Sequence, residues 1–112
     1  MTDHDNPMKI IQGRAIAALL NPRPAVLVTC CDGKGKPNVL SIAWHTPLCH
    51  NPPMLGISID HRRYSHNLID HSGEFVINVV SQAFLPAIEL CGNQSGQSMD
   101  KFQEAEIGRA HV

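Results

Sequence analysis

The feature that most constrains this chain is the run Ala25 to Cys31, AVLVTCC, followed at once by Asp32-Gly33-Lys34-Gly35-Lys36-Pro37. The run is short, β-branched and nearly free of polar residues, the pattern of a strand covered on both faces. The segment after it is rich in residues that tolerate turn dihedrals, which predicts an antiparallel return as a hairpin. That return, Asn38 to Leu48, includes Ser41, Trp44, His45 and Thr46 and is more polar than a buried strand requires, so an open or ligand-facing side is expected. Asn51-Pro52-Pro53 breaks the chain before another strand, Met54 to Ile59. A fourth, Phe75 to Val80, places Phe75, Ile77 and Val79 on one face and Val76, Asn78 and Val80 on the other.

Helical periodicity runs from Met8 to Leu20, with Met8, Ile11, Ala15, Ala18 and Leu19 forming one stripe that Asn21-Pro22 ends. A short helix is expected over Tyr64 to His71, stopped by Ser72-Gly73, and further helices over Phe84 to Leu90 and Met99 to Ala105. Four strands joined partly by tight turns, with an early helix, predict a β-rich α+β domain or barrel, incomplete at the C-terminus. Residues 1–112 are expected to form a single domain, with an atypical tail over 104–112 that carries no strand pattern.

With 43% hydrophobic and 17% charged residues, 112 residues suit one globular domain. Nine Lys+Arg against ten Asp+Glu give a net charge of −1, which argues for no nucleic-acid partner and no anionic membrane surface. No run approaches a membrane span, and the polar start Met1-Thr2-Asp3-His4-Asp5 lacks the regions of a signal peptide, so a cytoplasmic location is expected. Four cysteines, two of them adjacent (Cys30, Cys31), make a poor disulfide framework and read as reduced thiols.

Asn38, Ser41, Ser58 and Asn78 interrupt apolar strands, and each needs a partner, solvent or a polar ligand. The two readings are an open, solvated sheet face and a bound ligand. Arg62, Arg63 and Lys101, with Ser58, Ser65 or Ser95, could supply the cations and donors of a phosphate site, or be solvated surface charge. Lys34 and Lys36 do not make a phosphate loop, because Pro37 stands where Ser or Thr is required. Seven histidines lack metal-ligand spacing: His61, His66 and His71 recur at five-residue steps, and no CxxC pair accompanies His45, Cys49 and His50. Gly92-Asn93-Gln94-Ser95-Gly96 misplaces its serine for a nucleophile elbow, and no carboxylate pair is singled out for acid/base work. No catalytic side chain is therefore assigned; any redox or group-transfer chemistry would be carried by a cofactor.

Taken in order, several segments resemble the flavin reductase-like, FMN-binding split-barrel family, near the flavoredoxin-type proteins. They are Asn21-Pro22-Arg23-Pro24 leading into Ala25-Val26-Leu27-Val28-Thr29, Pro37-Asn38-Val39-Leu40-Ser41-Ile42-Ala43-Trp44-His45-Thr46-Pro47, and Asn51-Pro52-Pro53-Met54-Leu55-Gly56-Ile57-Ser58-Ile59. Ser72-Gly73-Glu74-Phe75-Val76-Ile77-Asn78-Val79, Cys91-Gly92, Ser95-Gly96 and Asp100-Lys101-Phe102 continue the series, which spans residues 20 to 103. The resemblance implies a split β-barrel that binds FMN, as a homodimer with the flavin near the subunit interface. It implies that Asn38 and Ser41 contact the flavin, and that backbone groups of Ile42, Ala43 and Trp44 meet its polar edge. Ser58, Arg62 and Ser65 would lie toward the ribityl chain and phosphate, with Ser95 and Lys101 as further ligands. NADH or NADPH would donate hydride and electrons would pass to an acceptor the sequence does not name; the alternatives are an FMN-bound electron carrier without NAD(P)H reductase turnover and a truncated, non-catalytic remnant that binds no flavin. The absence of GxGxxG is compatible with this, since a nicotinamide would stack on the flavin instead of using a Rossmann site.

Overall fold

In the computed structural model, residues 7–93 and 100–104 are described. The elements follow as α1 (Ala15–Ala18), β1 (Val26–Cys31), β2 (Pro37–Ile42), β3 (His45–Cys49), β4 (Met54–Ile57), α2 (Tyr64–Ser72), β5 (Val76–Asn78), a 3-10 turn Gln82–Phe84 that runs into α3 (Leu85–Asn93), and α4 (Lys101–Glu104). They form a β-rich α+β fold with two open antiparallel sheets, one ordered β2-β1-β5 and the other the ribbon β3-β4.

The hairpin predicted from the apolar run is present, with Val26 opposite Ile42 and Cys31 opposite Pro37. Asp32 closes its turn. The Asp32 carboxylate accepts the backbone N–H groups of Lys34 and Lys36, both at 2.8 Å, and Gly35 supplies the positive φ of 84° that the turn needs. Those two N–H donors hold the Asp32 carboxyl below its ordinary pKa, Lys36 first.

Strand alternation sorts the hairpin into two faces, each with its own core. Val26, Val28, Leu40 and Ile42 lie on one side, where Ile57, Ile59, Ile69, Phe75 and Ile77 pack. Leu27 and Val39 lie on the other, under Cys91, Ile88, Phe84 and Val80. Full burial of a Val or Leu side chain contributes about 1.5–3 kcal/mol, so this doubly covered hairpin anchors the fold. The β3-β4 ribbon has no such cover: Leu48, Met54 and Leu55 are all exposed.

Several expectations are corrected. The helix expected over Met8 to Leu20 shrinks to Ala15–Ala18. Gly13 takes a φ of 67° ahead of it, and the predicted stripe is not buried in a core, with Met8 94% and Leu19 67% exposed. The return segment Asn38 to Leu48 is two strands that belong to different sheets. The fourth strand narrows to Val76–Asn78, the helix expected over Phe84 to Leu90 runs over Leu85–Asn93, and α4, Lys101–Glu104, lies within the span expected over Met99 to Ala105, whose ends fall outside the described residues. By contrast α2 matches its sequence signal: Gly73 is left-handed (φ 74°), and its N–H caps Ile69 O at 2.7 Å. Among the described residues no helix is long and apolar enough to cross a membrane.

Candidate functional site

The polar residues of the apolar strands find their partners inside the protein. Asn38 on β2 is buried, and its side-chain amide donates to Ser65 Oγ on α2 at 2.6 Å. The Ser41 hydroxyl points to the opposite face and donates to Ile88 O on α3 at 2.5 Å. Asn78 donates from β5 to Leu27 O at 3.0 Å and to Thr29 Oγ1 at 3.3 Å. Neither Asn38 nor Ser41 faces open solvent, so the expected open side of this strand is confined to its C-terminal exit, where Ala43 and Trp44 are exposed.

The candidate binding residues therefore divide into distinct neighbourhoods. One is the buried polar seam between β2, the start of α2 and α4. It holds Asn38, Ser65, Cys30 and Lys101, a residue that is 4% exposed and whose ammonium donates to Cys91 O at 3.1 Å. Burial pushes the Lys101 pKa down, partly offset by the nearby Cys91 and Cys30 thiols. Burial likewise pushes the Cys30 and Cys91 thiols up, so neither is a nucleophile at neutral pH. All four cysteines are free; Cys30 and Cys91 are buried, whereas Cys31 and Cys49 are exposed.

The second neighbourhood is the exit of β2. Ile42 is core, Ala43 and Trp44 are exposed, and the Ser58 N–H donates to Trp44 O at 2.9 Å. Trp44 and Ser58 line a broad, largely apolar groove of about 1230 Å³ between α1 and the β3-β4 ribbon, with Ile16, Leu20, Leu48 and Ile57 among its walls. Arg62 joins neither group directly. It is 79% exposed and forms a fork with Asp60, whose carboxylate accepts Nη2 at 2.6 Å and Nε at 3.0 Å. Arg62 holds the Asp60 carboxyl well below the usual carboxylate range. Its neighbour Arg63, instead, is the arginine whose charge bears on Lys101. Ser95 lies outside the described residues.

Two groups that the sequence reading gave no role stand out. Arg23 donates to Ala43 O at 3.0 Å and to His45 O at 2.6 Å, and the His45 ring lies 2.8 Å from Pro24 O. A lone arginine between two prolines is the signal that was available: Pro22 and Pro24 have no N–H, so cross-links from this segment must come from side chains. The other is His66 in the first turn of α2, whose Nδ1 is buried without a hydrogen-bond partner. Among the described residues no three His, Cys, Asp or Glu side chains converge as a metal site.

Comparison with known proteins places this geometry in a family. A family model described as the flavin reductase like domain matches residues 19–112. An uncharacterised protein of Archaeoglobus fulgidus is 37% identical over 76 residues, 68% of this chain and 43% of that protein. An uncharacterised Escherichia coli protein is 34% identical over 85 residues, 75% of this chain and 45% of its own length. Flavoredoxin of Desulfovibrio vulgaris (Miyazaki F) superposes with a TM-score of 0.77 at 27% identity, covering 92% of this chain and 58% of that one. An FMN-binding domain of a flavin reductase-like enzyme from Shewanella baltica gives 0.69 at 33% identity, covering 80% and 47%. The chain thus spans about half the length of the relatives it matches, and within that span it belongs to the flavin reductase-like family.

Proposed function

We propose that this chain is the flavin-binding part of an FMN-dependent oxidoreductase that takes hydride from NADH or NADPH and passes electrons to an acceptor. The observation that carries this reading is the likeness to the Shewanella baltica FMN-binding domain, 33% identical over 80% of the chain. The residues present fit a phosphate-bearing cofactor. The nine-residue helix α2 has no side-chain N-cap, Arg62 and Arg63 precede it, and its first turn holds the unpartnered His66 Nδ1. Helix N–H groups left open in this way favour an anion.

In this reading Arg62, Ser65 and Lys101 hold the phosphate end, joined by Arg63, with Ser58 toward the ribityl chain. The exit of β2, from Ile42 to Trp44, faces the ring system; Asn38 and Ser41, expected from the resemblance to contact the flavin, donate instead to Ser65 Oγ and Ile88 O and brace the strand from either side. Ser95 is a further phosphate ligand in the same proposal. When bound, the flavin supplies hydride acceptance and electron delivery, while the protein orients it and excludes water. We assign no side chain to proton transfer. A homodimer completes the proposal, supported by the uncovered apolar ribbon residues Leu48, Met54 and Leu55.

The test is an absorbance spectrum after desalting, followed by FMN and riboflavin titrations read by flavin fluorescence. Saturable FMN binding that Arg62→Ala weakens, with riboflavin unaffected, is the expected result. Equal loss for both flavins would remove Arg62 from the phosphate site. Folded protein that binds no FMN would overturn the reading. Anaerobic mixing with NADH and NADPH then separates a reductase, which bleaches the flavin quickly, from an electron carrier, which does so slowly. Sedimentation equilibrium of the wild type and Leu55→Glu tests the dimer.

A further inference from the structure

Between β2 and β3 the chain leaves one sheet and enters the other over two residues, Ala43 and Trp44. Three successive carbonyls at this crossing are engaged by protein donors. One Arg23 guanidinium bridges the carbonyls of the two residues flanking Trp44, donating from Nε to Ala43 O at 3.0 Å and from Nη2 to His45 O at 2.6 Å. The Ser58 N–H occupies the carbonyl between them, at 2.9 Å. The His45 ring, 2.8 Å from Pro24 O, closes the link from the crossing back to the Arg23 segment. A planar cation donating two charge-assisted bonds fixes orientation as well as distance, which a lysine ammonium cannot do.

Trp44 itself is 57% exposed, so core packing does not set its place; the cross-linked backbone beneath it does. We infer that Arg23 is a positioning residue: by engaging the carbonyls of the residues on either side of Trp44 it holds Trp44 at the groove, where the indole would pack against the ring of a planar ligand. The ligand half of this inference rests on the proposed flavin function. The positioning of Trp44 does not.

Trp44 is the chain's single tryptophan, so its emission reads this place directly in ligand-free protein. The experiment compares the full chain with Arg23→Ala and Arg23→Lys by circular dichroism, tryptophan anisotropy and acrylamide quenching, then by FMN titration. Arg23→Ala is expected to keep its circular dichroism, lose Trp44 anisotropy, gain quenching and weaken FMN binding about tenfold, the loss of one charge-assisted contact set. Arg23→Lys keeps the charge and the stem but not the fork, and is expected to restore these signals only in part. Folded Arg23→Ala protein with wild-type anisotropy and quenching would overturn the positioning role. If Arg23→Ala does not fold, Arg23→Lys decides, and wild-type Trp44 signals in it would overturn the role equally. Loosened Trp44 with unchanged FMN affinity would overturn the ligand half. Loosened Trp44 in a protein whose wild type binds no FMN would support the positioning role while removing the flavin function.

Discussion

Asn78 shows how a polar side chain earns a place in this sheet. Its amide reaches across from β5 to Leu27 O and Thr29 Oγ1, so it cross-links the edge strand to the central one from a buried position. Replacing it with leucine removes the donor and leaves those acceptors without it. The expected loss is about 1–3 kcal/mol, read as a lower urea midpoint at unchanged slope. Lys101 carries a pH signature. Burial lowers its pKa from the ordinary 10.5, so between the folded value and 10.5 the unfolded chain binds a proton that the folded chain does not, and stability rises with pH there. The thiols of Cys30 and Cys91, raised from 9.0 by burial, act in the opposite sense: their contribution is complete below 9.0 and is lost as pH climbs through the folded values. Lys101→Met removes the first effect and, by taking away the charge that lowers both thiols, enlarges the second. The variant's unfolding free energy should therefore fall more steeply above pH 9.0 than that of the wild type, and parallel slopes would refute the assignment. Sequence alone singled out Asn38, Ser41 and Asn78 as needing partners, because a polar group in an apolar strand is conspicuous. It did not reveal the partners, since Ile88 and Ser65 come from helices distant in the chain.

At the scale of elements, local chemistry was legible where both ends of a segment carried a signal. The α2 helix stops where Ser72-Gly73 says it should, because Gly73 adopts a left-handed conformation that side chains resist. A Cβ added there would touch nothing within 4 Å, so Gly73→Ala isolates backbone strain from crowding. It should cost about 1–2 kcal/mol, visible as a lower thermal midpoint with the native circular dichroism intact. Periodicity without a partner was misleading: the Met8 to Leu20 stripe yields four helical residues because isolated turns are costly to nucleate and no core receives this one. The split of Asn38 to Leu48 into strands of two sheets was equally hidden. Ala43 and Trp44 carry no turn signature, and the crossing is set by Arg23 from twenty residues upstream.

The family was legible because short motifs recur in order along the chain, whereas the separation of the candidate ligands into a buried seam, an exposed crossing and the Asp60-paired Arg62 is a property of the fold alone. One architectural fact reaches beyond the static picture. Among the described strands, β1 is bonded on both edges and covered on both faces, while β3 and β4 pair only with each other. Backbone amides of Val26 to Cys31 should consequently trade hydrogen for deuterium only when the entire domain opens, and those of the ribbon through small local openings. A ligand seated at Trp44 would then slow deuterium uptake in β3 and β4 by more than it slows uptake in β1. Mass spectrometry of peptic fragments would display that imbalance, making the ribbon's own breathing the record of what has bound.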